Sequence, residues 1–328
     1  MTRILTYHDI DQQQWQQLVQ SSPLATWFQT DEAYRFYQSV SDMRAFAYGV
    51  AEAGGLVGVV VGYTTREKCK FKQYFTARTI IPGGPLLATE ITNKALSTLL
   101  TALHERLDST IYIESRNYND YSQWKSVFTQ CGFTYNRHLD IHVHCNAQHQ
   151  MSERRQRELK RAIKNSAMVC EAQTEQEVRD WYQILHRLYR EKVRTPLFSE
   201  EFFLQFYRNG VGKYLFVKHE GKVIGGMMCP VLNGKAIYEW YVCGQDEEYR
   251  ELSPSVVATH AAIEYAKKNG LPLFDFMGAG VPDVPFGVRE FKREFGGEMV
   301  EYGRFLCVRK PLLYAIGKMG VKWLKRKR

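Results

Sequence analysis

Hydrophobic positions switch between two periods along the chain, and the switches mark its elements. Trp15 and Leu18 share one face of a helix predicted over Ile10–Gln20, and a second helix is predicted over Thr30–Val40. Strand-like runs follow at Ala45–Ala51 and Leu56–Tyr63, separated by Glu52-Ala53-Gly54-Gly55, a hairpin signal. Phe71–Ile81 is another β-rich run, stopped by Pro82-Gly83-Gly84-Pro85. Leu96, Leu99, Leu100, Leu103 and Leu107 line one side of a helix over Thr92–Leu107. A buried strand at Thr110–Glu114, a helix at Tyr118–Gln130 and a strand at Leu139–Cys145 close this half.

The polar run Asn146–Gln150 is the best linker, followed by a basic helix over Ser152–Asn165. The order then repeats: helices at Glu175–Val193 and Ser199–Asn209, a hairpin of Lys213–Lys218 and Val223–Leu232, a strand at Ala236–Cys243, a helix at Ser253–Asn269 and a strand at Leu273–Met277. Helix, helix, hairpin, strand, helix, strand thus occurs twice, as a repeat of architecture rather than of residues. Hairpins beside a strand-helix-strand crossover predict an α/β (α+β) chain with mixed sheets rather than a doubly wound parallel one. The expected lobes are 1–148 and 149–308, with 309–328 as a basic amphipathic tail.

A length of 328 residues suits two domains, and 45% hydrophobic residues are enough for a core in each. Seven scattered cysteines include no CxxC pair, which gives little support to a zinc site or a redox dithiol. No signal-peptide pattern opens the chain and no run is apolar enough to span a bilayer, so a reduced, cytoplasmic protein is expected. The net charge of +9 favours an anionic partner: nucleic acid, a phosphorylated substrate or an acidic membrane surface.

The phosphate-loop, dinucleotide, zinc-protease and serine-elbow motifs are absent. His142 and His144 alternate along a strand without a nearby third ligand, so no metal is expected. The helix over 152–165 carries Arg154, Arg155, Arg157, Lys160, Arg161 and Lys164 against only Glu153 and Glu158. It is either a solvated face or an anion contact, with Leu159 and Ile163 as its apolar stripe. The strongest segment runs from Phe274-Asp275-Phe276-Met277-Gly278-Ala279-Gly280 into Pro285-Phe286-Gly287-Val288-Arg289-Glu290-Phe291-Lys292-Arg293-Glu294-Phe295-Gly296-Gly297. A buried strand there ends in glycines, where backbone can approach a ligand, and leads into a short amphipathic helix. Phe291 and Phe295 anchor its face; Lys292 is placed at the mouth of a cleft, or is merely an exposed surface lysine.

The order Phe-Asp-Phe-x-Gly, a loop, then Gly-Val-x-x-Phe-Lys-x-x-Phe-Gly-Gly resembles the Fem family, aminoacyltransferases that build the interpeptide bridges of bacterial peptidoglycan. Ser21-Ser22-Pro23 through Gln29, Ile80-Ile81-Pro82-Gly83-Gly84-Pro85, Arg194-Thr195-Pro196 with Phe202-Phe203, and Tyr249–Ala266 with Pro254 resemble further family segments in the same order. The resemblance covers essentially the whole chain. It implies two tandem GNAT-like lobes and transfer of an aminoacyl group from charged tRNA to an amine of a cell-wall precursor. It implies that Phe291 and Lys292 lie near the tRNA acceptor end, with Lys292 able to stabilise an oxyanion. By position, Arg35 and Arg194 would hold the precursor's phosphates; Lys160, Arg161 and Gly278 complete the expected substrate-binding set.

Two departures narrow the reading. There is no room for the coiled-coil arm of several Fem enzymes. After the strand ending at Cys243, Gly244-Gln245-Asp246-Glu247-Glu248-Tyr249-Arg250 offers no glycine nest for a pyrophosphate, which counts against acyl-CoA as donor. No bound cofactor is expected, with aminoacyl-tRNA as co-substrate. Asp275 and Glu239 are candidate general bases, beside proton transfer assisted by the substrate itself. Leu312, Leu313, Ile316, Met319, Trp323 and Leu324 interleave with Lys318, Lys322, Lys325, Arg326, Lys327 and Arg328 in a helix that suits an anionic membrane surface or packs back on the first lobe. The alternatives are an acyl-CoA or acyl-carrier N-acyltransferase acting on an envelope sugar or lipid, and a non-catalytic anion-binding scaffold. A monomer is expected.

Overall fold

The computed structural model describes residues 2–65, 74–147 and 150–326, with backbone alone from 320 onward. It divides into two units, 1–138 with 301–328, and 139–300. In the first, β1 (Arg3–Thr6), α1 (Gln12–Ser21), α2 (Asp31–Ser39), β2 (Met43–Glu52), β3 (Gly55–Thr65), β4 (Thr79–Gly83), β5 (Leu86–Leu87), α3 (Asn93–Arg106), β6 (Tyr112–Asn117), α4 (Lys125–Gln130) and β7 (Thr134–Asn136) follow in order. The second contains β8 (Leu139–His144), α5 (Glu153–Lys164), β9 (Met168–Glu171), α6 (Glu175–Leu188), α7 (Glu200–Arg208), β10 (Gly212–His219), β11 (Lys222–Leu232), β12 (Ala236–Tyr238), β13 (Tyr241–Gly244), α8 (Pro254–Lys268), β14 (Leu273–Asp275) and α9 (Gly287–Arg293). The chain ends through β15 (Glu298–Glu301), β16 (Arg304–Val308) and α10 (Pro311–Arg326).

Local chemistry accounts for the main elements. Thr92 caps α3 by accepting from the Ala95 amide at 3.1 Å, and Leu96, Leu99, Leu100 and Leu103 bury its inner face. The turn of the β10–β11 hairpin places Glu220 and Gly221 both at positive φ, the backbone a tight two-residue connection needs. Each sheet holds a parallel pair among antiparallel neighbours, β4 with β6 and β12 with β14. These are the mixed sheets that the repeated pattern predicts.

The expected lobe boundaries at 148 and 308 are wrong, and the sheet orders show why. The first sheet runs β1-β2-β3-β4-β6-β16-β7 and the second β15-β8-β14-β12-β11-β10-β9. β8, expected to close the first lobe, lies in the second sheet; β16, expected in the second lobe, lies in the first. Each sheet therefore receives its next-to-last strand from the other half of the sequence. Phe305 of β16 stacks on Phe128 at 3.9 Å within the first core, while Ile141 and Val143 of β8 belong to the second. Such an exchange leaves the hydrophobic pattern of each strand unchanged, so the pattern alone does not reveal it.

Other differences are local. Tyr74, Phe75 and Thr76 are helical rather than strand, and 71–73 lie outside the described residues, as do 148–149 of the expected linker. The run Ala236–Cys243 is broken at Glu239 and Trp240. The expected helix over Glu175–Val193 ends at Leu188 in a wider turn over Tyr189–Val193.

Candidate active site

The parallel pair of the second unit comes apart at one point. β12 and β14 are in register from Ala236/Leu273 to Tyr238/Asp275, and the Glu239 amide donates to Asp275 O at 2.9 Å. Beyond it the two chains follow different neighbours. Trp240 N donates to Met228 O and β13 pairs with β11, whereas Phe276 N and Ala279 N donate to Ile141 O and Leu139 O of β8. Strand ends that part in this way are the usual ligand position of an α/β sheet.

Lys292, from α9, sits at that parting. Its ammonium donates to Phe276 O at 2.7 Å and Gly278 O at 2.9 Å and pairs with Glu239 Oε1 at 2.9 Å. All three donors are used. The lysine is 8% exposed and Glu239 5%, so the reading of Lys292 as a surface lysine is overturned. Arg289, one turn earlier, donates to Ala279 O at 2.8 Å and to Val281 O at 2.5 Å. The amides of the same loop turn the other way: Met277 N donates to Asp275 Oδ1 and Gly278 N to Asp140 Oδ1, both at 2.6 Å. Cations thus hold the loop's carbonyls and carboxylates hold its amides. Each charge-assisted bond contributes roughly 1.5–3 kcal/mol net, enough to keep Met277 at φ 56 and Gly278 at φ 130.

Beside the loop lies a buried group of Asp140, His142 and Asp275, whose ligating atoms fall within 4.8 Å of one another. Burial and the neighbouring Asp275 push the Asp140 carboxyl well above its usual range. Burial alone would lower the His142 imidazole, but Asp275, with Oδ2 3.5 Å from Nε2, outweighs it and raises the pKa. Burial also raises Glu239 against the pull of Lys292. Among the described residues this is the group whose donor types suit a cation. His144, which alternates with His142 along the strand, is exposed beside Glu298.

The remaining predicted residues divide. Gly278, Phe291 and Lys292 come together with Asp275 and Glu239. The Phe291 ring lies 5.3 Å from Phe295 and 4.4 Å beneath the Arg155 guanidinium. Arg155 is buried and pairs with Glu158 and Glu294, so α5 is partly a clamp on α9 rather than an open cationic face. Arg161 is exposed but tied to Arg250 O and Glu251; Lys160 is exposed. The apolar stripe of α5 is Leu159 with Ala162, while Ile163 is exposed. Arg194 takes a left-handed backbone after the wide turn and donates to Glu191 O. Arg35 belongs to the other unit, on α2, paired with Asp31 at 2.7 Å. None of Arg35, Arg194, Lys160 and Arg161 is part of the cluster around Lys292.

Residues 147–293 match the model of the acetyltransferase (GNAT) domain family. That stretch matches a GNAT domain, and the fold of the whole chain is Fem-like. The fold is similar to the crystal structure of FemX, with a TM-score of 0.71 over 96% of this chain and 99% of that one at 13% identity. It is also similar to L-PGS from Bacillus licheniformis, TM-score 0.59 over 92% of each chain at 12% identity. A tandem GNAT protein from the clavulanic acid biosynthesis pathway matches at 0.59 over 94% of this chain and 99% of its own, at 10% identity. No curated protein matches. The GNAT domain is an acyltransferase domain, and the parted strands lie within it.

Proposed function

We propose that this Fem-like GNAT protein transfers an aminoacyl group from charged tRNA to an amine of a cell-envelope precursor, at the parting of β12 and β14. The observation that carries the reading is the Lys292–Glu239 pair. Glu239 Oε1 is held by Lys292, whereas Oε2 is buried without a hydrogen-bond partner among the described residues. A carboxylate whose pKa is raised by burial is the stronger base.

The reaction then balances within one pair. The neutral amine attacks the ester carbonyl, a C–N bond forms, and the amine proton passes to Glu239. As Glu239 becomes neutral, Lys292 loses its counter-ion just as negative charge appears on the tetrahedral oxygen, which the ammonium can stabilise. The C–O bond to the donor breaks, and the proton held by Glu239 goes to the leaving oxygen. Lys292 and Glu239 would be the catalytic residues, with Gly278 in the loop that meets the acyl group. In this reading Phe291 positions α9 beneath Arg155. Arg35, Arg194, Lys160 and Arg161 are assigned to phosphate contacts of precursor or tRNA by the Fem resemblance alone.

The start of α8 favours tRNA over acyl-CoA as donor. Helix N-termini take anions, but here the Asp246 carboxylate already accepts from the Ser255 amide at 3.0 Å and the Ser255 hydroxyl at 2.5 Å. A pyrophosphate would have to displace it and meet its charge. The cytoplasmic face of the membrane is the proposed place of action, where charged tRNA and lipid-linked precursors are both available. Incubating the protein with peptidoglycan precursors and a mixture of charged tRNAs, then weighing the products, tests the reading; precursors that gain no aminoacyl mass contradict it.

A further inference from the structure

The net charge of this protein falls in one segment. Nine of its 44 basic residues and none of its 35 acidic ones follow Glu301, so the remaining bases balance the acids and the whole net charge of +9 belongs to residues 302–328. Most of that segment is α10. Its start is fixed to the first unit: Arg309 N and Lys310 N donate to Ile111 O at 2.8 and 3.0 Å, and the Tyr314 ring meets the edge of Tyr112 at 5.5 Å. Further along the helix leaves that support. Leu312, Ile316 and Met319 are 81%, 59% and 62% exposed. They lie four and three residues apart, one row on a helix, and Trp323 follows at the next helical step. Lys318, Lys322, Lys325 and Arg326 belong to the same helix.

An exposed Leu-Ile-Met row costs solvation unless something covers it. RNA would take the charges and leave the row in water. A groove on another protein would take the row and has no need of a run of cations without an acidic residue among them. The surface of a bilayer containing anionic lipid satisfies both, through its acyl boundary and its headgroup charge. We propose that α10 docks the protein on an anionic membrane, lying in the interface with the Leu312–Ile316–Met319 row turned to the acyl chains. No helix here is long and apolar enough to cross the bilayer, so the contact is interfacial. This inference stands independently of the acyl-transfer reading, since no residue of the Lys292 cluster takes part.

Sedimentation of the full chain with lipid vesicles tests it. Phosphatidylcholine vesicles containing about one third phosphatidylglycerol should bind at least tenfold more tightly than phosphatidylcholine alone, and less tightly as salt rises. Leu312→Glu with Ile316→Glu should weaken binding to the anionic vesicles at least tenfold. Both positions are exposed, so the thermal unfolding curve should not move. Lys318→Gln with Lys322→Gln and Lys325→Gln should weaken it by a similar factor and flatten the salt dependence. Equal binding to both vesicle types overturns the proposal. So does an unchanged affinity of the Leu312/Ile316 variant, above all if unfractionated tRNA competes the protein off the vesicles, because charge alone would then be in use.

Discussion

The Lys292 ammonium lies 2.9 Å from Glu239 Oε1, and both side chains are buried at the point where two parallel strands part. The pair sets the local structure and, in the proposed reaction, the proton.

A buried ion pair costs most when only one partner is removed. Lys292→Met leaves Glu239 buried without its counter-ion and deprives Phe276 O and Gly278 O of their donor, so a loss of about 3–5 kcal/mol at neutral pH is expected. Adding Glu239→Gln should return part of that loss. Urea unfolding of both singles and the double variant measures the coupling; strictly additive losses would mean that the two groups do not interact.

In the first unit, burial pushes Glu114 upward, but Arg116 at 2.7 Å and Arg304 at 3.4 Å outweigh it and hold the carboxyl at about 2. A folded pKa below the ordinary 4.5 stabilises the protein above that value. The contribution, about 3 kcal/mol at neutral pH, is lost as pH falls from 4.5 through 2. Because Arg304 arrives on the exchanged strand β16, Arg304→Met should reduce this acid-range slope. The slope is read from chemical denaturation at a series of pH values.

The strand exchange predicts which fragments fold. Residues 139–301 contain every strand of the second sheet, whereas 149–308 lack β8 and carry β16 without its partners. The first fragment should give a cooperative thermal transition by circular dichroism and the second should not. Equal behaviour would contradict the assignment of β8.

Acetyl-CoA should leave the melting temperature of the protein unchanged, because Asp246 occupies the start of α8. Asp246→Ala removes that carboxylate and the Ser255 cap, at a cost of about 1 kcal/mol. A clear upward shift of the wild-type protein with acetyl-CoA would reverse the choice of donor.

The elements and the mixed sheets were legible in the sequence because hydrophobic period reports them directly. Gly287–Gly297 also stood out, for a reason only partly anticipated. A Cβ on Gly296 would lie 2.5 Å from Gln150 O and one on Gly297 2.6 Å from Ile141 Cγ2. These glycines therefore serve close packing; approach of backbone to a ligand was expected of the glycines that end the strand, Gly278 and Gly280. Glu239, Asp140 and Arg155 carry no motif and gain their roles from residues 53, 138 and 139 positions away. Lys292, expected at the mouth of a cleft or else merely exposed on the surface, is buried: a lysine in a short amphipathic helix looks exposed until its carbonyl and carboxylate partners are known.

The most direct test of the proposed chemistry is the transfer rate of Glu239→Gln beside wild type, with charged tRNA as donor and a precursor amine as acceptor, read by product mass over time. Glutamine keeps an oxygen for Lys292 but cannot take the amine proton, so the rate should fall roughly 100- to 10,000-fold with the melting temperature moved far less than by Lys292→Met. Transfer by Glu239→Gln at the wild-type rate would contradict the account.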